Sequence, residues 1–261
     1  MQTQAQWKGV NKLPKLFPQY KNEKYAKQME EIEHRFEAKH DEEKKVSVIT
    51  IYGVIGNSYW EKSISAKQVV DALNEAGDND IVIRLNSPGG DAFEGITISN
   101  RLREHKGKVT TYIDGYACSA ASLFPPASDE TIMGLGAMIM IHEATTIVWG
   151  SKKDMRKEAD VLEKLETGII DIYMTVAKVD RKEIETMVDN ETWFTAEEAV
   201  AIGFASKLTE VKKPEEPTQP QQMDSETYKN TILARFMENK PEPTAPTNNF
   251  LNKFKRSSQV E

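Results

Sequence analysis

The chain is poor in the residues that build several common kinds of site. It has one cysteine, Cys118, in 261 residues. An intramolecular disulfide is therefore impossible, and a cysteine-rich zinc site is excluded. Its four histidines, His34, His40, His105 and His142, are too scattered to suggest a metal centre. Positive charge is in deficit: 34 Lys and Arg stand against 41 Asp and Glu, for a net charge of -7 and a pI near 5.4. Phosphate binding needs a basic surface, so nucleic acid is not expected as a partner. No apolar run approaches the roughly 18 residues of a membrane helix. The first residues, MQTQAQWKGVNK, lack the apolar core of a signal peptide. Hydrophobic residues make up 39% of the chain and mean hydropathy is -0.57, below the usual share for a chain packed throughout. Together these shortages predict a soluble, cytoplasmic, acidic protein with no metal and no membrane contact, in which polar appendages dilute a packed core.

Three zones follow from the pattern. Residues 1–45 form a polar, charge-rich arm whose stretch KNEKYAKQMEEIEHRFEAKHDEEKK reads as a solvated helix. Residues 46–210 hold nearly all the regular apolar patterning, and 211–261 form a Pro-rich tail with a short amphipathic stretch, SETYKNTILARFMENK. In the middle zone strands are expected at Val46–Ile55, Ile81–Leu85, Val109–Ile113 and Ala137–Ile141. Helices are expected after the Ser63–Ser65 caps, through Phe93 to Leu102, briefly from Ser119, from Lys152 to Val179, from Arg181 to Val188, and after Thr195, whose capping box closes on Glu198. This alternation predicts an α/β fold of repeated β-α-β units around a largely parallel sheet with right-handed crossovers.

Sites in open α/β sheets gather beyond the carboxyl ends of strands, and three strand ends here carry unusual residues. In Asn86-Ser87-Pro88-Gly89-Gly90-Asp91, paired glycines let the backbone approach a ligand and aim N–H groups at it; taken alone, an ordinary strand-to-helix turn is the commoner reading. In Asp114-Gly115-Tyr116-Ala117-Cys118-Ser119-Ala120-Ala121-Ser122, Ser119 sits among small residues where a strand yields to a helix. There its hydroxyl is exposed and the helix dipole favours developing negative charge. The N–H of Ala120 can join that of Gly89 in an oxyanion hole, although a mere helix cap is several times commoner than a nucleophile. Ser122 is the rival serine, expected to pack or to bond to backbone, and Cys118 ranks below Ser119 because free cysteine is usually a small core residue. His142 closes an apolar strand, a place suited to a general base and equally to a core histidine. An acid to orient it can come from Asp189 or Glu191. No single signal is specific, but the order glycine turn, serine, histidine, acid is what a hydrolytic triad with its oxyanion loop requires.

At these residues the chain resembles the ClpP-type serine peptidases, over about Val46 to Leu208. Asn86–Gly90 is similar to the family's glycine loop, Gly115–Ala120 to the segment holding the nucleophile, and Met140-Ile141-His142 to its Met-Ile-His strand end. Glu191–Ala199 followed by Gly203 is similar to its late acidic segment. The details look closest to the branch of phages and prophages that processes capsid and scaffold proteins during head maturation. The resemblance implies a ClpP/crotonase-like fold, Ser119 as nucleophile, His142 as base, Gly89 and Ala120 as oxyanion donors and a handle helix from Lys152. It also implies a homo-oligomeric ring acting on protein or peptide chains without a cofactor, in a bacterial or infected host cytoplasm or inside a prohead; whether an ATPase partner exists stays open. Three features depart from the family's pattern. Glu191 stands at the usual aspartate, with Asp189 as the alternative acid. Pro125-Pro126 interrupts the helix after the nucleophile, and Cys118 replaces a common alanine. Two readings from other classes remain beside the peptidase: a non-catalytic assembly subunit and a crotonase-like acyl-CoA enzyme.

Overall fold

The computed structural model describes residues 32–56 and 62–210. The expectations for residues 1–31 and for the tail 211–261, its amphipathic stretch included, lie outside the described residues. Within them the chain runs β1 (Arg35–Asp41), β2 (Val46–Tyr52), α1 (Ala66–Ala76), β3 (Asp80–Ser87), α2 (Ala92–Arg103) and β4 (Val109–Cys118). Two 3₁₀ turns follow, Ser119–Leu123 and Pro125–Ala127, and then β5 (Glu130–Met133), β6 (Met138–Ile141), α3 (Lys152–Met174), α4 (Arg181–Asp189), β7 (Thr192–Phe194), α5 (Ala196–Ile202) and β8 (Lys207–Leu208).

The predicted mixed α/β architecture with a mostly parallel sheet is present. The sheet order is β1-β2-β3-β4-β5-β8, with β6 joined to β4 and β7 to β6. Among the described residues only β1–β2 and β6–β7 pair antiparallel. Period-two alternation turns Ile49 and Ile51 of β2, Ile81, Ile83 and Leu85 of β3, and Val109 and Ile113 of β4 into one core. Each such fully buried aliphatic side chain contributes about 1.5–3 kcal/mol. α1 packs against β2 and α2 with Val69, Ala72 and Leu73 buried. Helix starts are set locally: Ser65 and Gln68 form a capping box on α1, Asp91 accepts from the N–H groups of Phe93 and Glu94, and Thr195 with Glu198 boxes α5.

Several expectations need correction. Arg35–Asp41 is not helix but an edge strand paired along its length with β2. Its charged residues Arg35, Glu37 and Lys39 alternate with Phe36 and Ala38, which pack on the core; charge is what keeps an edge strand from pairing further. β2 stops at Tyr52, three residues before the expected end, and α3 stops at Met174. β5, β7 and β8 were not foreseen, because strands of four, three and two residues are too short to show a period. The helix after Ser119 is a five-residue 3₁₀ turn. Pro125 and Pro126 cannot donate the N–H groups an α-helix would need, and they open a second short turn.

The largest departure positions the site. β4 does not close at Asp114-Gly115 but runs on to Cys118. Leu85 pairs with Ile113 while Ser87 pairs with Ala117, so β4 bulges between them. The Asn86 side chain fills the bulge, accepting the Tyr116 N–H at 3.0 Å, and a Cβ on Gly115 would lie 2.7 Å from Asn86 Oδ1. Before the bulge β4 pairs with β5; after it β4 pairs with β6. The switch brings the ends of β3, β4 and β6 to one mouth.

Candidate active site

Ser119 follows Cys118 at the end of β4 with φ of 53°, a left-handed conformation that costs a non-glycine residue about 1–2 kcal/mol. That turn thrusts the half-buried hydroxyl out of the strand direction. Across the mouth, His142 follows β6, and its Nε2 lies 2.8 Å from Ser119 Oγ. For Nε2 to accept the serine proton, the ring hydrogen must sit on Nδ1. The five-residue 3₁₀ turn after Ser119 offers little of the helix dipole expected from the short helix there.

The glycine loop presses on the same point. Gly89 has φ of 89°, and a Cβ there would lie 2.4 Å from the Cys118 carbonyl oxygen, 2.6 Å from Ser119 Cβ and 2.9 Å from the Ala120 nitrogen. The Cα side of Gly89 therefore packs against Ser119 and the Ala120 nitrogen. Gly90 is held just as tightly on the other side: Ile55 N–H donates to the Gly89 carbonyl at 2.8 Å and Asp91 N–H to the Ile55 carbonyl at 2.9 Å. The Gly89 N–H itself donates to the buried Ser87 Oγ at 3.0 Å, so an incoming oxyanion has to share or displace that bond.

The two acids part company. β7 pairs antiparallel with β6, Thr192 opposite Ile141 and Trp193 opposite Met140; continued by one residue, this register sets Glu191 across from His142. Glu191 is buried, 9% exposed, with φ of 51°, and its Oε1 accepts the Trp193 indole N–H at 3.2 Å. Asp189 is exposed at the end of α4, where its charge helps burial and Glu143 to raise the Glu166 carboxyl.

The rival nucleophiles are placed elsewhere. Burial and then the Glu191 charge push the Cys118 thiol far up, so it stays protonated. Ser122 is buried and donates to the Ser119 carbonyl at 2.5 Å. Among the described residues no cluster of His, Cys, Asp and Glu is able to hold a metal, and no helix is long and apolar enough to cross a membrane. Ser87, Asn86 and Trp193 lay inside quoted motifs, where their partners gave no sequence signal. Tyr173, 51 residues from the Ser122 it contacts at 2.7 Å, had none at all.

The sequence model described as Clp protease matches residues 27–212. The chain belongs to the Clp protease family. It is a serine-type peptidase, similar to Clp proteolytic subunits. One relative, an ATP-dependent Clp protease proteolytic subunit 2 of Treponema denticola, is 29% identical over 63% of this chain and 82% of its own length. Another, an ATP-dependent Clp protease proteolytic subunit 1 of Chlamydia muridarum, is 30% identical over 56% of this chain and 82% of its own.

Proposed function

We propose that the chain cleaves internal peptide bonds of protein substrates through Ser119, His142 and Glu191. The observation that carries this reading is the 2.8 Å approach of His142 Nε2 to Ser119 Oγ across 23 residues of sequence. His142 takes the serine proton as Oγ attacks the scissile carbonyl, then returns it to the leaving amine. Gly89 and Ala120 N–H groups receive the oxyanion, each donor contributing about 3 kcal/mol. Glu191 holds the imidazolium, and water releases the acyl group. A fluorophosphonate should label the protein at Ser119 and leave the Ser119→Ala variant unmarked; labelling that persists in the variant sinks the assignment, and absence of labelling in both points to a non-catalytic assembly subunit.

The substrate we assign is a capsid or scaffold chain, processed in an infected or lysogenic bacterial cytoplasm or in the prohead. The Pro-rich extension from residue 211 supports it, since such a tail suits scaffold contact or self-cleavage. Mass spectrometry is the test: loss of the tail in active protein, retained in Ser119→Ala, supports self-processing. The second reading is a proteolytic subunit served by an ATPase, favoured by the names of both relatives. Stimulation of folded-substrate cleavage by a Clp-type ATPase would select it. Either role suits a ring of several copies, for which the exposed Ile147, Val148 and Trp149 before α3, and Met155 and Val161 on it, offer apolar surface.

A further inference from the structure

Ser119 keeps its left-handed backbone within a hydrogen-bonded chain that reaches a different layer of the fold. Ser122 Oγ lies 2.5 Å from the Ser119 carbonyl oxygen and 2.7 Å from the Tyr173 hydroxyl on the last turn of α3. The directions of these bonds are determined by counting hydrogens. A carbonyl only accepts, so the single Ser122 hydrogen goes to Ser119. The Tyr173 hydroxyl must then be the donor to Ser122. Both side chains are buried, Ser122 1% and Tyr173 2% exposed. Burial also raises the Tyr173 phenol well above its ordinary value, which keeps it protonated.

Peptide bonds are planar, and among the described residues none is cis, that between Ser119 and Ala120 included. In a trans peptide the C=O and the following N–H point opposite ways. A hydrogen bond that anchors the Ser119 carbonyl therefore also aims the Ala120 N–H, which lies beside Gly89 at the mouth. We propose that Ser122 and Tyr173 are positioning residues that orient the Ala120 oxyanion donor and hold Ser119 in its strained turn, tying the end of α3 to the reaction centre. This rests on the peptidase reading above. Neither residue touches substrate; each acts through the Ser119–Ala120 peptide.

The test uses full-length protein as wild type, Ser122→Ala, Tyr173→Phe and the double variant, with Ser119→Ala as control. Readouts are the rate of fluorophosphonate labelling and kcat and KM on a fluorogenic peptide. A donor that engages only the transition state alters kcat and not KM. Removing an oxyanion donor outright costs about 10²–10³-fold, so a misaimed one should cost less. Ser122→Ala is expected to lower kcat and labelling about tenfold with KM within about twofold. Tyr173→Phe should act in the same direction by about threefold, and the double variant should be no slower than Ser122→Ala, because the chain is already cut. Ser122→Ala strands a buried phenol hydroxyl; the double variant replaces both partners with apolar groups and should regain thermal stability. If Ser122→Ala does not fold, the double variant answers the same question. Labelling lost in Ser119→Ala but at wild-type rate in Ser122→Ala and the double variant overturns the positioning role alone. A wild-type protein that does not label overturns the peptidase reading and the positioning role with it.

Discussion

The two ends of the sheet are built on opposite principles. At the amino ends of the strands, charges meet in solvent: Glu130 before β5's interior takes Lys108 at 2.8 Å and Lys207 at 2.6 Å, and Asp80 accepts the Lys108 N–H at 2.9 Å. At the carboxyl ends there are close backbone approaches and positive φ angles, at Gly89, Gly90 and Ser119, with Glu191 nearby. The parallel strands β2 to β6 and β8 make this division possible, since each delivers its start to one edge and its end to the other. Exposed pairs contribute little because water competes for both partners. A strained, crowded turn persists only where packing over-determines it, and it fixes the direction of hydroxyls and N–H groups. The difference teaches where a substitution should be felt as lost chemistry and where it should scarcely be felt.

Five changes, two of them compared as a pair, probe that contrast, taken from the strongest. Ser119→Ala should lower peptide hydrolysis by at least about 10³-fold with the thermal midpoint nearly unmoved; a midpoint that collapses would make the strand end structural. Gly89→Ala forces a Cβ into the Cys118 carbonyl at 2.4 Å. It should lose activity about 10²-fold and about 2–4 kcal/mol of stability in denaturant unfolding. Glu191→Gln should reduce kcat about tenfold or more while Asp189→Asn changes it less than about twofold; the reverse ranking in steady-state kinetics moves the orienting role to Asp189. Glu130→Gln should leave kcat untouched and shift the melting midpoint by no more than about 2–4 °C. Hydrogen bonds from Lys108 and then Lys207 hold the Glu130 carboxyl down at about 2, against an ordinary 4.5. A depressed carboxyl stabilises fully above its unfolded value, so the wild-type advantage should be complete above pH 4.5, fade toward about pH 2 and shrink in salt.

Much of the site was legible because its signals are short. The glycine pair, the strand-end serine and histidine, and the Thr195–Glu198 box each declare themselves within a few residues. Pro125-Pro126 correctly foretold an interrupted helix, since a missing N–H is a local fact. The charged run 35–41 misled because lysine and glutamate suit a solvated helix as well as an edge strand, and only pairing with β2 decided between them. Asp114-Gly115 looked like a strand end because Gly and Asp usually are; here they form a bulge filled by Asn86. Asp189 and Glu191 stood as alternatives in the sequence; the β6–β7 register, continued by one residue, sets Glu191 across from His142.

The sequence by itself determined the class of fold, the family and the reacting pair Ser119 and His142 as candidates. Periodicity, caps and glycine conformations are properties of neighbouring residues. Only the tertiary structure decided that β1 belongs to the sheet and that β4 switches partners at its bulge. It also set Glu191 opposite His142 and let Tyr173 reach Ser119 through Ser122. Those arrangements join residues up to 51 positions apart, and such contacts arise from packing whole elements together, which no local pattern along the chain encodes.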